Sequence, residues 1–183
     1  MRLRMMSLVF AAAVPLSAPV WAAGEIQGGE ITFTGTVVGL PCLIETESEN
    51  FDVPFGQIGL RDLYGAGSTR ATPVPFSIKL KDCTTAVSNA VTVTFGGMAN
   101  ASMAEYLAVD VTSEAKGIAI GIQEASGGDL IPLNQASAPQ EITGLTAELK
   151  YEAFVQGEDA ALADRTITTG NFTATASYTL NYQ

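Results

Sequence analysis

From Gly170 to the last residue the sequence reads Asn-Phe-Thr-Ala-Thr-Ala-Ser-Tyr-Thr-Leu-Asn-Tyr-Gln183, a regular alternation with period two. Phe172, Ala174, Ala176, Tyr178, Leu180 and Tyr182 fall on one face, and every position between them is polar. A helix would scatter these residues around its axis, whereas a strand lines them up on one side. The pattern predicts a half-buried strand. Because it runs to the final residue, it is not expected to turn back into a further hairpin partner. One sheet edge is therefore expected to lie open, and an open edge in a soluble chain must be covered by something.

A segment near the other end has the matching character. In Glu25-Ile-Gln-Gly-Gly-Glu-Ile-Thr-Phe-Thr-Gly35 one face carries Gln27, Gly29, Ile31, Phe33 and Gly35. Ile31 and Phe33 are large apolar anchors, and the neighbouring glycines permit close backbone approach. Two readings of this segment stand side by side: a strand that covers an open edge, or the first strand of an ordinary sandwich.

Most of the chain between these ends also alternates. Strands are expected in Glu30-Ile-Thr-Phe-Thr-Gly-Thr-Val-Val38, Val74-Pro-Phe-Ser-Ile-Lys-Leu80, Val91-Thr-Val-Thr-Phe95, Leu107-Ala-Val-Asp-Val111, Ile118-Ala-Ile-Gly-Ile122 and Leu145-Thr-Ala-Glu-Leu-Lys-Tyr-Glu-Ala-Phe-Val155. Gly65-Ala-Gly-Ser, Gly96-Gly, Ser126-Gly-Gly-Asp and Gly157-Glu-Asp punctuate them. Short alternating strands separated by such turn signals predict an all-β sandwich. Helical patterning is confined to Leu60-Arg-Asp-Leu-Tyr64 and Ala160-Ala-Leu-Ala-Asp164, each a single turn that needs packing to persist.

The first 22 residues are read as a signal peptide and excluded from the fold. Arg2 and Arg4 precede an apolar stretch from Met5 to Val20, and Val20-Trp-Ala22 offers a small-residue cleavage site after Ala22. The stretch is shorter than the about 20 apolar residues of a membrane span. About 160 residues then remain, enough for one domain with a sizeable core.

The whole chain has 9 basic and 19 acidic residues. Setting aside Arg2 and Arg4 leaves a net charge of about −12, which repels phosphate backbones, so no nucleic-acid partner is expected. Cys42 and Cys83 are the only cysteines. In an exported chain they predict one disulfide, worth about 4 kcal/mol on the chain-entropy model. A metal site would need more ligands than two cysteines, and the chain has no histidine. The same lack excludes the usual catalytic triads and most zinc centres. Glu45, Glu47 and Glu49 form a carboxylate run that reads as a solvated loop rather than an acid–base pair. No enzyme activity, metal or cofactor is expected. Asn100-Ala-Ser and Asn171-Phe-Thr match the N-glycosylation pattern by letter only.

Four features together resemble the subunits of chaperone–usher pili, close to the type 1 pilin family. Gly170 stands fourteenth from the end with Tyr182 penultimate, as in that family's C-terminal assembly motif. Gly28-Gly29-Glu-Ile-Thr-Phe-Thr-Gly35-Thr-Val-Val38 resembles its N-terminal extension running into the first strand, with Cys42 just beyond. Phe55-Gly-Gln-Ile58 resembles a recurring segment after that cysteine. Phe76-Ser-Ile-Lys-Leu-Lys-Asp-Cys83 places the second cysteine after an aspartate. Pro41 departs from the small residues common before the first cysteine.

The resemblance implies an incomplete immunoglobulin-like β-sandwich that lacks its final strand and carries an extended N-terminal donor arm. It divides the chain into a signal peptide (1–22), a donor-strand extension (23–38) and a pilin domain (39–183). Gly29, Ile31 and Phe33 would be donor side chains, and Gly170, Ala174, Ala176, Tyr178, Leu180 and Tyr182 would form the acceptor edge. The implied partners are a periplasmic pilus chaperone, an outer-membrane usher and neighbouring pilin subunits, and the implied destination is the cell-surface fimbrium. A minor tip adaptor, a terminator or a self-complemented secreted adhesion domain is the alternative. A receptor-binding tip adhesin would need a second domain, for which the chain has no room.

Overall fold

The computed structural model describes residues 28–37, 39, 41–65, 69–86 and 88–183. The expected signal peptide, residues 23–27 of the expected extension, and Val38 lie outside the described residues. The chain divides into two units, Met1–Val37 and Val38–Gln183. In the first, residues 28–37 are exposed and belong to no helix or strand. The alternation from Glu30 predicts a strand, but a strand exists only through a ladder partner, and none of these residues has one in the structure.

The second unit is built from eight strands and three short helices. They are β1 (Leu43–Ile44), α1 (Thr46–Glu49), α2 (Leu60–Leu63), β2 (Val74–Lys81), β3 (Ala90–Gly97), β4 (Leu107–Ala108), β5 (Ile118–Glu124), β6 (Gln140–Glu141), β7 (Ala147–Gly157), α3 (Asp159–Asp164) and β8 (Ala176–Tyr182). All pairings are antiparallel. One sheet has the order β1-β2-β7-β5-β4 and the other β6-β3-β8.

Register places the apolar alternation inward, as a two-sheet sandwich requires. Ile78 pairs with Leu149, and Ile120 with Val155, and all four are buried. On the opposing sheet Val91, Val93 and Phe95 are buried along β3. An aromatic knot joins the sheets: the Phe95 ring meets Tyr151 edge-on at 5.1 Å and Phe76 at 6.0 Å. Such contacts add about 0.5–1.5 kcal/mol each beyond area burial.

Strand β5 is buried on both faces. Its outer face is covered because Gly121 has no side chain: a Cβ there would stand 2.3 Å from the Phe154 ring. Phe154 in turn carries Tyr106 edge-on at 6.2 Å and the Arg70 guanidinium at 4.8 Å.

Both expected helical turns form, as α2 and α3. Packing fixes them: the Tyr64 hydroxyl after α2 accepts from the Ile167 N–H, and Arg165 lies over the Tyr64 ring at 5.8 Å. The acidic run 45–49 is not the expected loop but the one-turn helix α1, in which Ser48 is buried. Asn100 is also buried. Its amide donates to Glu158 at 2.7 Å, and its carbonyl accepts from Ser102 and Met103 N–H, so this side chain is fully engaged.

Candidate functional site

The edge strand β8 is held on one side only. It pairs with β3 through Val91↔Tyr182, Val93↔Leu180, Phe95↔Tyr178 and Gly97↔Ala176, and among the described residues its other edge carries no strand. Beside that edge runs a cleft of about 960 Å³. Residues 172–178 form one wall and residues 49–55 the other, while Phe76, Phe95, Leu107, Ile120, Ile122 and Ala153 form the floor. The floor is therefore the apolar interior of the sandwich itself, reached between the rims of the two sheets.

Both ends of this opening are crossed by side chains. At one end the Phe55 and Phe172 rings meet across it with centroids 6.0 Å apart. At the other the Tyr178 hydroxyl donates to the Ser48 carbonyl oxygen at 2.6 Å. Burial, and secondarily the Glu49 carboxylate, pushes the Tyr178 phenol above its ordinary range, so the hydroxyl stays a donor. Ser48 is itself fixed, because its Oγ accepts from the Lys79 N–H at 3.0 Å, and the Glu45 N–H donates to Lys79 O at 3.0 Å.

The rim 49–55 hangs from β1, which makes only the ladder pairs Leu43↔Lys81 and Ile44↔Leu80. The expected disulfide is present and reinforces it: Cys42 is bonded to Cys83, with Cα atoms 4.0 Å apart. Beside it the Thr84 N–H donates to Pro41 O at 2.6 Å.

The residues expected at an acceptor edge separate into three groups. Ala174, Ala176 and Tyr178 line the cleft. Leu180 and Tyr182 lie on the same face, half-buried opposite Val93 and Val91, but outside the cleft lining. Gly170 sits elsewhere, with φ +147° and a Cβ position 2.4 Å from Glu114 Cβ.

The expected single strand from Asn171 is also broken. Residues 171–175 bond to the stretch after β4, with Asp110 N–H donating to Thr173 O and Glu114 N–H to Asn171 O, each at 2.8 Å. This also ends β4 at Ala108, short of the expected Val111. Of the expected donor residues, Gly29, Ile31 and Phe33 are exposed, Ile31 by 76% and Phe33 by 90%.

Sequence reasoning missed the rim 49–55 and the part played by Phe55, Phe172 and Ser48. The alternation had already placed Phe172 on the inward face, but nothing in sequence signals its contact with Phe55.

Comparison with known proteins agrees with this geometry. The sequence profile described as fimbrial protein matches residues 31–183. The putative minor fimbrial subunit PmfF of Proteus mirabilis (strain HI4320) is 37% identical over 169 residues, covering 92% of each chain. The Fimbria A protein of Serratia marcescens is 35% identical over 161 residues, covering 88% of each. Among solved structures, the P pilus rod subunit PapA superposes with a TM-score of 0.66 over 79% of this chain and 100% of that one, at 23% identity. At that identity the likeness concerns the fold. The chain belongs to the fimbrial protein family and has the immunoglobulin-like fold of a pilin.

Proposed function

We propose that this chain is a structural pilus subunit that polymerises by donor-strand exchange. In this reading the cleft beside β8 takes up an extended segment of a neighbouring subunit, and residues 23–38 are the segment that this subunit donates in turn. The observation that carries the reading is the unpaired edge of β8 running beside an opening whose floor is the apolar core. An added strand would complete the ladder through backbone hydrogen bonds, with alternate side chains entering the opening and setting register.

Exposed Ile31 and Phe33 supply suitable side chains. Burying each would contribute about 1.5–3 kcal/mol. Because each copy would give one surface and receive on another, the contact is head-to-tail and generates a filament rather than a closed ring.

The same reading assigns residues 1–22 to export and residues 39–183 to the pilin domain. A periplasmic chaperone would occupy the cleft until an outer-membrane usher presents the next subunit, and the finished fibre would stand on the cell surface. A shaft subunit and a tip adaptor both need cleft and arm, so both belong to this reading. A terminator needs the cleft alone.

The test is capture of a synthetic peptide of residues 25–38. The purified subunit should be poorly stable or slowly polymerise, and excess peptide should stabilise it as a monomer. A monomer that is highly stable and indifferent to the peptide would rule out strand exchange.

A further inference from the structure

The Tyr178–Ser48 hydrogen bond crosses the open side of the sandwich where an added strand would run. On β8 the Tyr178 ring stands opposite Phe95, and its hydroxyl reaches the rim of the other sheet at Ser48 O, 2.6 Å away. That rim cannot drift off freely, because Ser48 Oγ and Glu45 N–H are both bonded to Lys79 of β2. The lining of the cleft ends at Tyr178, and Leu180 and Tyr182 beyond it are not part of it. At the opposite end Phe55 touches Phe172.

From Phe172 to Tyr178 an extended chain spans at most about 20 Å, which accommodates roughly three inward side chains at two residues apiece. We propose that Tyr178 is a register stop. Its hydroxyl, held by Ser48 O, bars an incoming strand from pairing past residue 178, so the two large donor side chains seat between Tyr178 and Phe172 and not beside Leu180 and Tyr182.

This inference rests on the reading of the cleft as a strand acceptor, and the experiment separates the two. Full-length subunit, with Tyr178 intact or as Tyr178→Phe, is given an excess of peptide 25–38, peptide 29–38 or peptide 25–34. Release of each is then followed by competition with an unlabelled copy. Tyr178→Phe keeps the ring and removes only the donor; Tyr178→Leu, which also removes the reach, serves as the second variant.

With Tyr178 intact, one of the two trimmed peptides should leave within about twofold of the full peptide's rate, because the residues it lacks lie past the stop. In both variants the same trimming should speed release about tenfold, since those residues then pair with β8. If release depends on length equally in all three proteins, Tyr178 sets no register, although the cleft remains an acceptor. If the unaltered subunit captures none of the peptides, the acceptor reading falls, and the stop with it.

Discussion

The Tyr178 hydroxyl on β8 donates to the Ser48 carbonyl oxygen on α1 at 2.6 Å, tying the edge of one sheet to the rim of the other. Ser48 is anchored to β2 through Lys79, so the bond spans the sandwich at the place where its core is open to the side. Phe55 and Phe172 do the same at the other end by ring contact. The cleft is thus a bounded opening, held apart by β1 and the disulfide on one rim and by β8 on the other. Its strength depends on groups whose response to pH, reduction and truncation can be measured.

Alkaline pH should loosen the core through Tyr151. Burial pushes this phenol up to about 12, and Gln140 Nε2 donates to its oxygen at 2.9 Å. The unfolded phenol titrates near 10. A folded-state value raised above the unfolded one means that the contribution is complete below pH about 10 and is lost as pH climbs through about 12. Tyr178 and Tyr182 are raised in the same direction, chiefly by burial, and add to the effect. Chemical denaturation from pH 9 to 12 should show stability falling across this window. Tyr151→Phe should flatten that slope, and an unchanged slope would place the alkaline transition elsewhere.

Reduction should act on the rim before it acts on the core. Cys42 and Cys83 enclose a long loop and fasten the start of β1, whose ladder has only two residue pairs. Removing the cross-link costs about 4 kcal/mol on the chain-entropy model, or roughly 10 °C in Tm for a domain of this size. The double variant Cys42→Ser/Cys83→Ser should melt lower by about that amount and capture peptide 25–38 more weakly. Equal melting temperatures with and without reductant would show that the loop is already closed by other contacts.

The two sheets are joined most directly at Phe95, whose ring touches both Tyr151 and Phe76. Phe95→Ala would leave a void at the cleft floor and should cost about 3–5 kcal/mol. Urea denaturation measures this, with the midpoint shifting and the slope unchanged if the native compactness is kept. A loss below about 1 kcal/mol would mean that the floor collapses freely around the gap.

Much of this architecture is legible in the sequence because side-chain alternation records which face is buried. Val74–Lys81, Ala90–Gly97, Ile118–Glu124 and Ala147–Gly157 all fall within two residues of the alternating segments. Backbone partnership is recorded less well. The alternation runs unbroken from Phe172 to Tyr182, yet residues 171–175 bond to residues 110–115 and only Ala176–Tyr182 joins β3. Helix α1 was hidden for a related reason: a four-residue helix has no pattern of its own, and its stability comes from Lys79. The cleft's two end contacts pair residues far apart in the chain, so no local pattern could announce them.

Donor and acceptor roles should separate under mutation. Phe33→Asp puts a charge on an arm residue that is 90% exposed and leaves the pilin domain unaltered. It should block elongation, because the carboxylate would have to enter an apolar opening, while chaperone capture stays normal. Gly170→Asp acts on the other side. Its backbone has φ +147°, and a Cβ would stand 2.4 Å from Glu114 Cβ and 3.0 Å from the Glu114 carboxylate, so strain and like-charge repulsion combine. Asn171 bonds to that same carboxylate at 3.1 Å through its N–H, and the displacement should carry into residues 172–175 along the wall. Chaperone capture and polymerisation should then both weaken, as they should in Tyr182→Ala, which removes the partner of Val91. Periplasmic co-purification with the chaperone, alongside a polymerisation assay, reads both quantities from the same strains. Normal capture in the Gly170 and Tyr182 variants would move the acceptor surface away from β8.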